Sequence, residues 1–310
     1  MANRSKRGLI LAHNQSMKFN DFFAGIQGDE RFFDYSGYSD LLFVFNPKSR
    51  HPAAFVNLDT GRKSFEYGGA YVTGYAAATD LAFAAAVILD SEKIPVADSE
   101  LRYAPSLSKI SEMAKLMKAG VRVPKTYGGT KVAMIRAFTT GRIKLSFPLV
   151  FKAADGERGV DNYTIYNENE IYDLLQNRPD DSIWIAQDYI ESGGFYRLNT
   201  YFYRPAYGIY RTNNPEAVER HHAHMYKPQG GANATLLEPR EIPMRVSRMA
   251  RKASKAVGRE FAGVDIVVGK RSGVPYVLEV NYFPQIVTVE SFRERRVQEF
   301  LKAMRRLAAR

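Results

Sequence analysis

The sequence predicts an α/β or α+β fold with room for two or three subdomains. The chain has 310 residues, of which 45% are hydrophobic and 25% charged, which are ordinary values for a soluble globular protein. A chain of this length usually folds around more than one hydrophobic core. Apolar runs of strand length alternate with helical patterns, and no internal repeat interrupts them. This alternation is typical of mixed helix and sheet layers.

The composition excludes several kinds of chemistry. The chain contains no cysteine, which excludes thiol nucleophiles, thiolate metal sites, iron–sulfur clusters and disulfides. The longest apolar run, Leu81 to Leu89, falls far short of the ~20 residues of a membrane-spanning helix. The apolar run after the basic N-terminus, Leu9 to Ala12, is too short for a signal peptide. We therefore expect a soluble, cytoplasmic protein with no membrane partner.

The chain is basic, because its 44 lysine and arginine residues exceed its 33 aspartate and glutamate residues by 11. Positive charge favours nucleotides, phosphates, acidic peptides or nucleic acid, although it also simply promotes solubility. Two predicted helices, Pro243–Val257 and Phe292–Leu307, carry much of the excess beside an apolar stripe. Their basic residues form either solvated faces or a docking surface for an acidic partner. Nucleic acid is the less favoured partner, since no aromatic residues interleave the basic ones.

Each element follows from a local pattern, beginning with the first hundred residues. Short apolar runs predict strands at Gly8–Ala12, Leu41–Phe45 and Ala53–Leu58. The Ala-rich run Ala76–Leu89 predicts a buried helix, and the segment from Lys93 to Ala97 predicts a short strand. Together they indicate an open α/β domain that ends near Pro105, with a strand order that the sequence leaves open.

The middle of the chain begins with an amphipathic helix. Apolar residues recur at spacings of three and four within Ser106–Ala119. Ser108 is placed to cap this helix and Gly120 to end it, after which the chain runs on extended. Further strands are predicted at Pro148–Ala153, Asn162–Tyr166, Ile183–Ile190 and Tyr196–Tyr203, with a helix at Asn167–Gln176.

The last hundred residues predict two more helices and two more strands. The helices are Pro243–Val257 and Phe292–Leu307, and the strands are Val264–Val268 and Tyr276–Asn281. The polar, glycine-containing segment Glu216–Thr235 predicts a loop.

Common nucleotide and metal motifs are missing from the sequence. It contains no G-x-x-x-x-G-K-[ST] phosphate loop and no H-E-x-x-H, and no two glycines stand two residues apart. The last fact excludes a G-x-G-x-x-G dinucleotide loop. Neither a P-loop enzyme nor a standard Rossmann dehydrogenase is supported.

Three polar residues of the C-terminal strands form a candidate metal site. Glu279 and Asn281 are two residues apart, so a strand presents both on the same face. If the strand that carries Asp265 lies adjacent, three oxygen ligands converge, as suits Mg²⁺. The alternative is that these residues lie on the solvent-facing side of a sheet.

A second group of residues suits a phosphorylated ligand. Lys152 ends an apolar strand, where it either contacts a phosphate or lies at the surface before a turn. Gly156 and Gly159 follow, and their backbone N–H groups are able to close over an anion. The strand end Gln187–Ile190 offers backbone donors and acceptors to an adenine ring, or is an ordinary strand end.

Taken in order, these segments resemble the ATP-grasp superfamily, and within it the carboxylate–amine ligases related to ribosomal-protein glutamate ligase and glutathione synthetase. The similarity spans about Leu107 to Pro284. Its segments are Ser108-Lys109, Ala119-Gly-Val-Arg-Val-Pro-Lys-Thr, Phe147-Pro-Leu-Val-Phe-Lys, Gln187-Asp-Tyr-Ile, Arg197, Gly263-Val-Asp-Ile and Leu278-Glu-Val-Asn-Tyr-Phe-Pro. The resemblance implies an N-terminal domain over residues 1–105 and ATP-grasp subdomains over 106–185 and 186–310.

The resemblance also implies a role for each site residue. Lys109 and Lys152 would bind ATP phosphates, beneath a flexible lid from Gly156 to Gly159. Adenine would bind at a hinge formed by Gln187, Asp188, Tyr189 and Ile190. Asp265, Glu279 and Asn281 would hold one or two Mg²⁺ ions, with Mn²⁺ as a substitute. Arg197, Arg211 and Lys227 would face the reacting groups.

The implied reaction is ATP-dependent formation of an amide through an acyl phosphate, with ADP and phosphate released. The implied substrates are an amino acid or an acidic peptide or protein, and a homo-oligomer is an analogy only. A small-molecule kinase and a non-catalytic ATP-binding protein that docks an acidic partner are the alternatives. They are distinguished by the product, which would be a phosphoester in the first case and absent in the second.

The sequence departs from the family pattern at three places, which leaves the substrate class open. Phe195 stands where relatives commonly carry an acid, Gln285 replaces a glycine, and Lys227 stands in a segment where relatives carry an arginine. A histidine cluster also lies in the predicted loop, at His221, His222 and His224. It is either a metal site, a substrate contact or an exposed polar segment.

Overall fold

The computed structural model describes residues 7–12, 32–103, 105, 108–154, 161–212, 233–282 and 293–309. Within them the helices are α1 Thr79–Ser91, α2 Lys109–Lys118, α3 Lys131–Thr139, α4 Glu168–Leu175, α5 Met244–Val257 and α6 Arg293–Ala308. The strands are β1 Gly8–Ala12, β2 Phe33–Gly37, β3 Leu41–Phe45, β4 Ala53–Asn57, β5 Gly69–Val72, β6 Val96–Ala97, β7 Thr126–Thr130, β8 Leu149–Ala153, β9 Asn162–Ile165, β10 Ile183–Asp188, β11 Gly194–Tyr201, β12 Arg204–Thr212, β13 Asn233–Leu237, β14 Phe261–Val268 and β15 Pro275–Asn281. The predicted mixed α/β class is confirmed.

The N-terminal part contains a parallel sheet in the order β2-β1-β5-β6. Strand β1 is buried along its whole length, as its apolar sequence predicts for a strand covered on both faces. Strands β3 and β4 were predicted for the same domain, but they form a separate antiparallel pair. Strands β2 and β5 were not predicted, because their residues include aspartate, serine and glycine.

Helix α2 is shorter than the predicted span Ser106–Ala119, but it lies between the two residues that the sequence predicts as its cap and its stop, Ser108 and Gly120. The Ser108 side chain accepts a hydrogen bond from the backbone N–H of Ser111, which caps the first turn. Gly120 follows the last turn with a φ of +63°, the left-handed conformation that glycine adopts most easily. These two ends fix where the first residues of the helix, including Lys109, are held.

The middle part contains an antiparallel sheet in the order β7-β10-β8-β9. Its core includes Phe151 and Trp184, whose rings stack with centroids 5.2 Å apart. Helix α3, which was not predicted, contributes Met134 and Phe138 to this core. The sheet therefore holds Lys152 of β8 next to its central strand β10.

The C-terminal part contains an antiparallel sheet in the order β13-β12-β11-β14-β15. Helix α5 covers one face, where Val264, Ile266 and Val280 pack with its apolar residues. The opposite face is left to the polar residues that alternate with them. Asn233–Leu237 is strand β13, so the loop predicted over Glu216–Thr235 is wrong at its C-terminal end, and the rest of it lies outside the described residues.

Helix α6 packs back on the first sheet, against β1 and β5. Met304 and Leu307 lie in the same hydrophobic cluster as Ile10 and Tyr71. No described helix combines the length and the hydropathy that crossing a membrane requires. The domain bounds at residues 105 and 185 stay a prediction.

We expect Gly69→Ala to destabilise the protein, because a Cβ atom at Gly69 would lie 2.8 Å from the backbone oxygen of Leu307. Helix α6 would have to move away from the sheet, at a loss of about 1–3 kcal/mol in the free energy of unfolding. Urea unfolding measures this loss in the free energy of unfolding. The matched control is Gly193→Ala, where the nearest atom is 3.6 Å away. Equal midpoints for the two variants would contradict the prediction.

Candidate active site

Three neighbouring strands bring Arg197, Asp265 and Glu279 into one row. Arg197 of β11 lies opposite Asp265 of β14, and Asp265 lies opposite Glu279 of β15. Their side chains are on the face of the sheet that α5 does not cover, because the alternating residues Val264, Ile266 and Val280 face the helix. Asn281 lies on the same face as Glu279, as the sequence predicted from their spacing.

Arg197 and Asp265 form a bidentate ion pair. Nε and Nη2 of Arg197 each donate to one carboxylate oxygen of Asp265, and both distances are 2.7 Å. Burial raises the pKa of Asp265, and Arg197 offsets only part of this effect. Burial by itself would lower the pKa of Arg197, but the Asp265 carboxylate outweighs it and raises that pKa. The two parallel hydrogen bonds fix the direction of both side chains.

The Asn281 amide links Glu279 and Arg197, the two ends of the row. One of its side-chain polar atoms lies 3.1 Å from Oε1 of Glu279, and the other lies 3.0 Å from Nη2 of Arg197. With nitrogen toward Glu279, the amide donates to the carboxylate and accepts from the guanidinium. With oxygen toward Glu279, the two oxygen atoms are 3.1 Å apart, slightly more than the roughly 2.8–3.0 Å between adjacent ligands of an octahedral cation with bonds of roughly 2.0–2.1 Å.

The donor set fits a Mg²⁺ ion that completes its shell with other oxygens. Mg²⁺ usually takes few protein ligands and keeps water or phosphate oxygens. Asp265, Glu279 and Asn281 offer two carboxylates and an amide. Over the described ranges, no cluster of three histidine, cysteine, aspartate or glutamate side chains is placed to hold a metal. The candidate site therefore suits a cation shared with a phosphorylated substrate better than a closed structural metal.

Two buried lysines lie close to each other, and one of them, Lys152, lies near Glu279 and Asp265. Lys109 at the start of α2 is 8% exposed and Lys152 of β8 is 6% exposed. The backbone N–H of Lys109 donates to the carbonyl of Ala154 at 3.0 Å, just beyond β8. Burial lowers the pKa of Lys152, against the opposing influence of the Glu279 carboxylate. The structure thus brings together the two lysines that the sequence singled out.

The strand end Gln187–Ile190 has a different arrangement from that of a free edge. Gln187 is buried, and its side chain donates to Oγ1 of Thr126 at 2.8 Å. Its backbone also pairs with β7 and β8 on both sides, so Gln187 lies inside the sheet, and its place in an adenine hinge stays a prediction. Asp188 ends the strand, and its N–H donates to the carbonyl of Lys125. Tyr189 and Ile190 follow the strand and remain candidates for binding an adenine ring.

Arg211 adds a second guanidinium to the face. It lies opposite Phe195 on β11, with its guanidinium carbon 5.8 Å from the ring centroid. Burial lowers the pKa of Arg211, and the nearby positive charge of Arg197 lowers it further. Phe195, which replaces the acid of the family pattern, therefore offers a ring face rather than a carboxylate. The result is a more positive site, suited to an anion.

Several predicted site residues lie outside the described part of the chain. They are Gly156, Gly159 and Lys227, together with His221, His222 and His224.

A buried charge network that the sequence did not predict lies behind the site. Glu112 lies one turn after Lys109 on α2, and Oε2 of Glu112 accepts from Nη1 of Arg259 at 2.9 Å. Arg259 also donates through Nε to Glu100, and Lys115 donates to the other oxygen of Glu100 at 3.2 Å. Burial raises the pKa of Glu112 to about 7, and Glu279 adds to this effect. These contacts join segments that are far apart in the sequence, so no local pattern predicts them. The only available signal was the presence of charged residues on a helix face that is otherwise buried.

Comparison with known proteins identifies the fold. No family model and no curated protein matches the chain. The ATP-grasp ligase PsnB, solved with a phosphomimetic variant of minimal precursor, Mg and ADP, is similar over 98% of this chain and 99% of its own, with a TM-score of 0.67 and 14% identity. VanG D-Ala:D-Ser ligase from Enterococcus faecalis is similar over 98% of this chain and 98% of its own, with a TM-score of 0.64 and 14% identity. A RimK domain ATP-grasp protein from Sphaerobacter thermophilus is similar over 98% of this chain and 98% of its own, with a TM-score of 0.58 and 15% identity.

These similarities extend over nearly the whole of each chain, so they concern the complete architecture. Identities of this size carry the fold and not the activity. They agree with the resemblance that the ordered segments from Ser108 to Asn281 indicate. The chain has the ATP-grasp fold.

Proposed function

We propose that the protein is an ATP-dependent carboxylate–amine ligase. The observation that carries this proposal is the convergence of Lys109 and Lys152 with the row of Arg197, Asp265 and Glu279. Cations suited to phosphate oxygens thus lie beside oxygen ligands suited to Mg²⁺. The ATP-grasp ligase neighbours support the same class of chemistry.

The proposed reaction has two steps. A substrate carboxylate oxygen attacks the terminal phosphorus of ATP, the bond to the bridging oxygen breaks, and ADP leaves with an acyl phosphate formed. An amine nitrogen then attacks the acyl carbon, the bond to the phosphate oxygen breaks, and the nitrogen loses a proton. The products are an amide and inorganic phosphate, and no side-chain nucleophile is needed.

Each group of residues has a function in this reaction. Lys109 and Lys152 neutralise phosphate oxygens, and their burial strengthens the interaction. Asp265, Glu279 and Asn281 would hold Mg²⁺, which supplies Lewis-acid neutralisation of phosphate charge when bound. Arg211, next to the ring of Phe195, faces the negative charge of the transferred group. Arg197 holds Asp265 in place through its two hydrogen bonds.

A peptide or protein is the proposed substrate class. The ATP-grasp ligase PsnB was solved with its precursor peptide, which supports a peptide substrate for this chain. The net charge of +11 favours an acidic substrate. The domain bounds, the adenine hinge from Gln187 to Ile190, and a cytoplasmic location belong to the same proposal.

The proposal is tested by incubating the protein with ATP, Mg²⁺, pooled amino acids and short acidic peptides, followed by mass spectrometry. A ligase gives ADP, phosphate and a product lighter than its two parents by one water. A gain of one phosphoryl group on a substrate would instead identify a kinase. ATP binding without any turnover would leave a non-catalytic docking protein or a substrate outside the pool, which a pull-down with acidic cellular proteins would then distinguish.

Lys152→Met is expected to weaken ATP binding by about 10–100-fold, because a charged hydrogen bond to phosphate contributes about 1.5–3 kcal/mol. Adenosine, which has no phosphate, should bind equally to both forms. Competition with a fluorescent nucleotide measures both affinities. The matched control is Lys118→Met at an exposed position of the same region. Equal weakening of ATP and adenosine would refute a phosphate contact.

A further inference from the structure

We propose that Glu112 and Arg259 are positioning residues that hold strand β15 so that Glu279 and Asn281 are aimed at one cation. This inference rests on the proposed function of those two side chains as metal ligands. It assigns a role in the reaction to a buried ion pair on the side of β15 away from β14.

The pair holds the backbone of the one residue between the two ligands. Oε1 of Glu112 accepts from the N–H of Val280 at 2.8 Å. Nη1 of Arg259 donates to the carbonyl of Val280 and also to Oε2 of Glu112. Both polar groups of the Val280 backbone are therefore bound by charged side chains that also bind each other.

The position of β15 explains why it needs such support. Among the described strands it is the last of its sheet, paired on one side with β14. Alternate backbone groups of an edge strand have no ladder partner, so they fray or bind something else. The register also shifts by one residue between Asp265 and Ile266, next to Glu279. A shifted register at an edge leaves the direction of the following side chains poorly determined by the sheet itself.

Helix α2 connects this support to the phosphate-binding residues. Lys109 and Glu112 are one turn apart, so they lie on the same face of the helix. The Lys109 backbone is bound to Ala154 after β8, while the Glu112 side chain is bound to Val280. One helical turn therefore fixes the distance between the candidate phosphate and metal sites, which a reaction at their junction requires.

The network continues into the N-terminal part of the chain. Arg259 and Lys115 both bind Glu100, which also accepts from the Tyr75 hydroxyl. Tyr75 packs against Tyr282, directly after β15, with ring centroids 4.6 Å apart. Buried charges are weak evidence for stability by themselves, because apolar residues of similar size often replace them without loss. Positioning β15 gives a reason for charges at this place.

The test measures how nucleotide binding depends on Mg²⁺ in the full chain. Glu112→Met removes the acceptor of the Val280 N–H, so half-maximal binding of a fluorescent ATP analogue should need about tenfold or more Mg²⁺. Glu112→Gln keeps an acceptor oxygen and should stay within about threefold of the parent. Binding of the analogue without Mg²⁺ should change little in either variant, because it depends on the lysines.

The matched control is Lys115→Met, which removes a charge from the same network without touching β15. It should lower the unfolding midpoint and leave the Mg²⁺ dependence unchanged. If Glu112→Met does not fold, the triple variant Glu100→Gln, Glu112→Met, Arg259→Met replaces the buried charges together and should fold, yet show the raised Mg²⁺ requirement.

Two results overturn the inference, and they are distinguishable. A folded Glu112→Met or triple variant with the Mg²⁺ requirement of the parent would show that the network acts on stability alone. A parent protein whose nucleotide binding is independent of Mg²⁺ would instead overturn the proposed function, and the inference with it.

Discussion

Glu279→Gln should reduce ATP-dependent product formation by about 10²–10³-fold, the usual effect of removing one group that stabilises transferred charge. Glutamine keeps the size of the side chain and its hydrogen bond with Asn281, so the fold should be retained. The variant lacks one of the two carboxylate charges that Asp265 and Glu279 supply together. Mass spectrometry of ADP and product, with the substrate pool that supports the parent, measures the loss.

The control for this prediction is Glu168→Gln, at an exposed position at the start of α4. It removes the same charge far from the row of Arg197 and Asp265 and should keep parental turnover. Excess Mg²⁺ should restore part of the activity of Glu279→Gln, because a weakened site fills at higher concentration. Retention of more than half of the parental activity by Glu279→Gln would contradict the assignment of Glu279.

Arg259→Leu is expected to lower the free energy of unfolding by about 3–5 kcal/mol, because it leaves buried carboxylates without their partner. Arg259 is 2% exposed, and it contacts both Glu100 and Glu112. Burial by itself would raise the pKa of Glu100, but Arg259, the Tyr75 hydroxyl and Lys115 together outweigh burial and lower that pKa, so the carboxylate is charged in the folded protein. Without the guanidinium, this charge must be neutralised or exposed. Urea unfolding followed by circular dichroism measures the effect.

Arg251→Leu is the matched control for this substitution. Arg251 is an exposed arginine on α5, and its replacement should change the free energy of unfolding by less than about 0.5 kcal/mol. Pairing Arg259→Leu with Glu100→Gln should recover part of the loss, since one buried charge is then removed with its partner. A loss below about 1 kcal/mol for Arg259→Leu would show that water or other groups compensate the carboxylates.

Local patterns predicted the elements whose residues carry strong signals. Helix α2 was predicted because its apolar spacing, its Ser108 cap and its terminal Gly120 all agree. Strand β12 and helix α3 were not predicted, because their residues do not carry such agreeing local signals. The turn before β12 consists of Phe202 and Tyr203, both with positive φ, where asparagine and glycine are the usual signal of a hairpin. Tertiary packing stabilises this hairpin in place of turn chemistry.

The candidate site also has features that the sequence predicts and features that it does not. Glu279 and Asn281 could be placed on one face because the period of a strand is two, whatever surrounds it. The neighbour of Asp265 could not be placed, since pairing with Arg197 depends on the order of strands in a sheet. The position of Gln187 at the end of a strand could be predicted, but the hydrogen bond of its side chain to Thr126, 61 residues away, could not. Sequence order did not contain that contact.

The sequence by itself determined the mixed fold class, the ordered segments that resemble the ATP-grasp superfamily, and the candidate phosphate and metal residues. These depend on residue types and on spacings within one element, which the geometry of helices and strands converts directly into faces. Only the tertiary structure decided that Glu112 and Arg259 bind the Val280 backbone, across separations of 168 and 21 residues. Such contacts form because buried charges must find partners wherever the packed chain places them, and no local pattern encodes that choice.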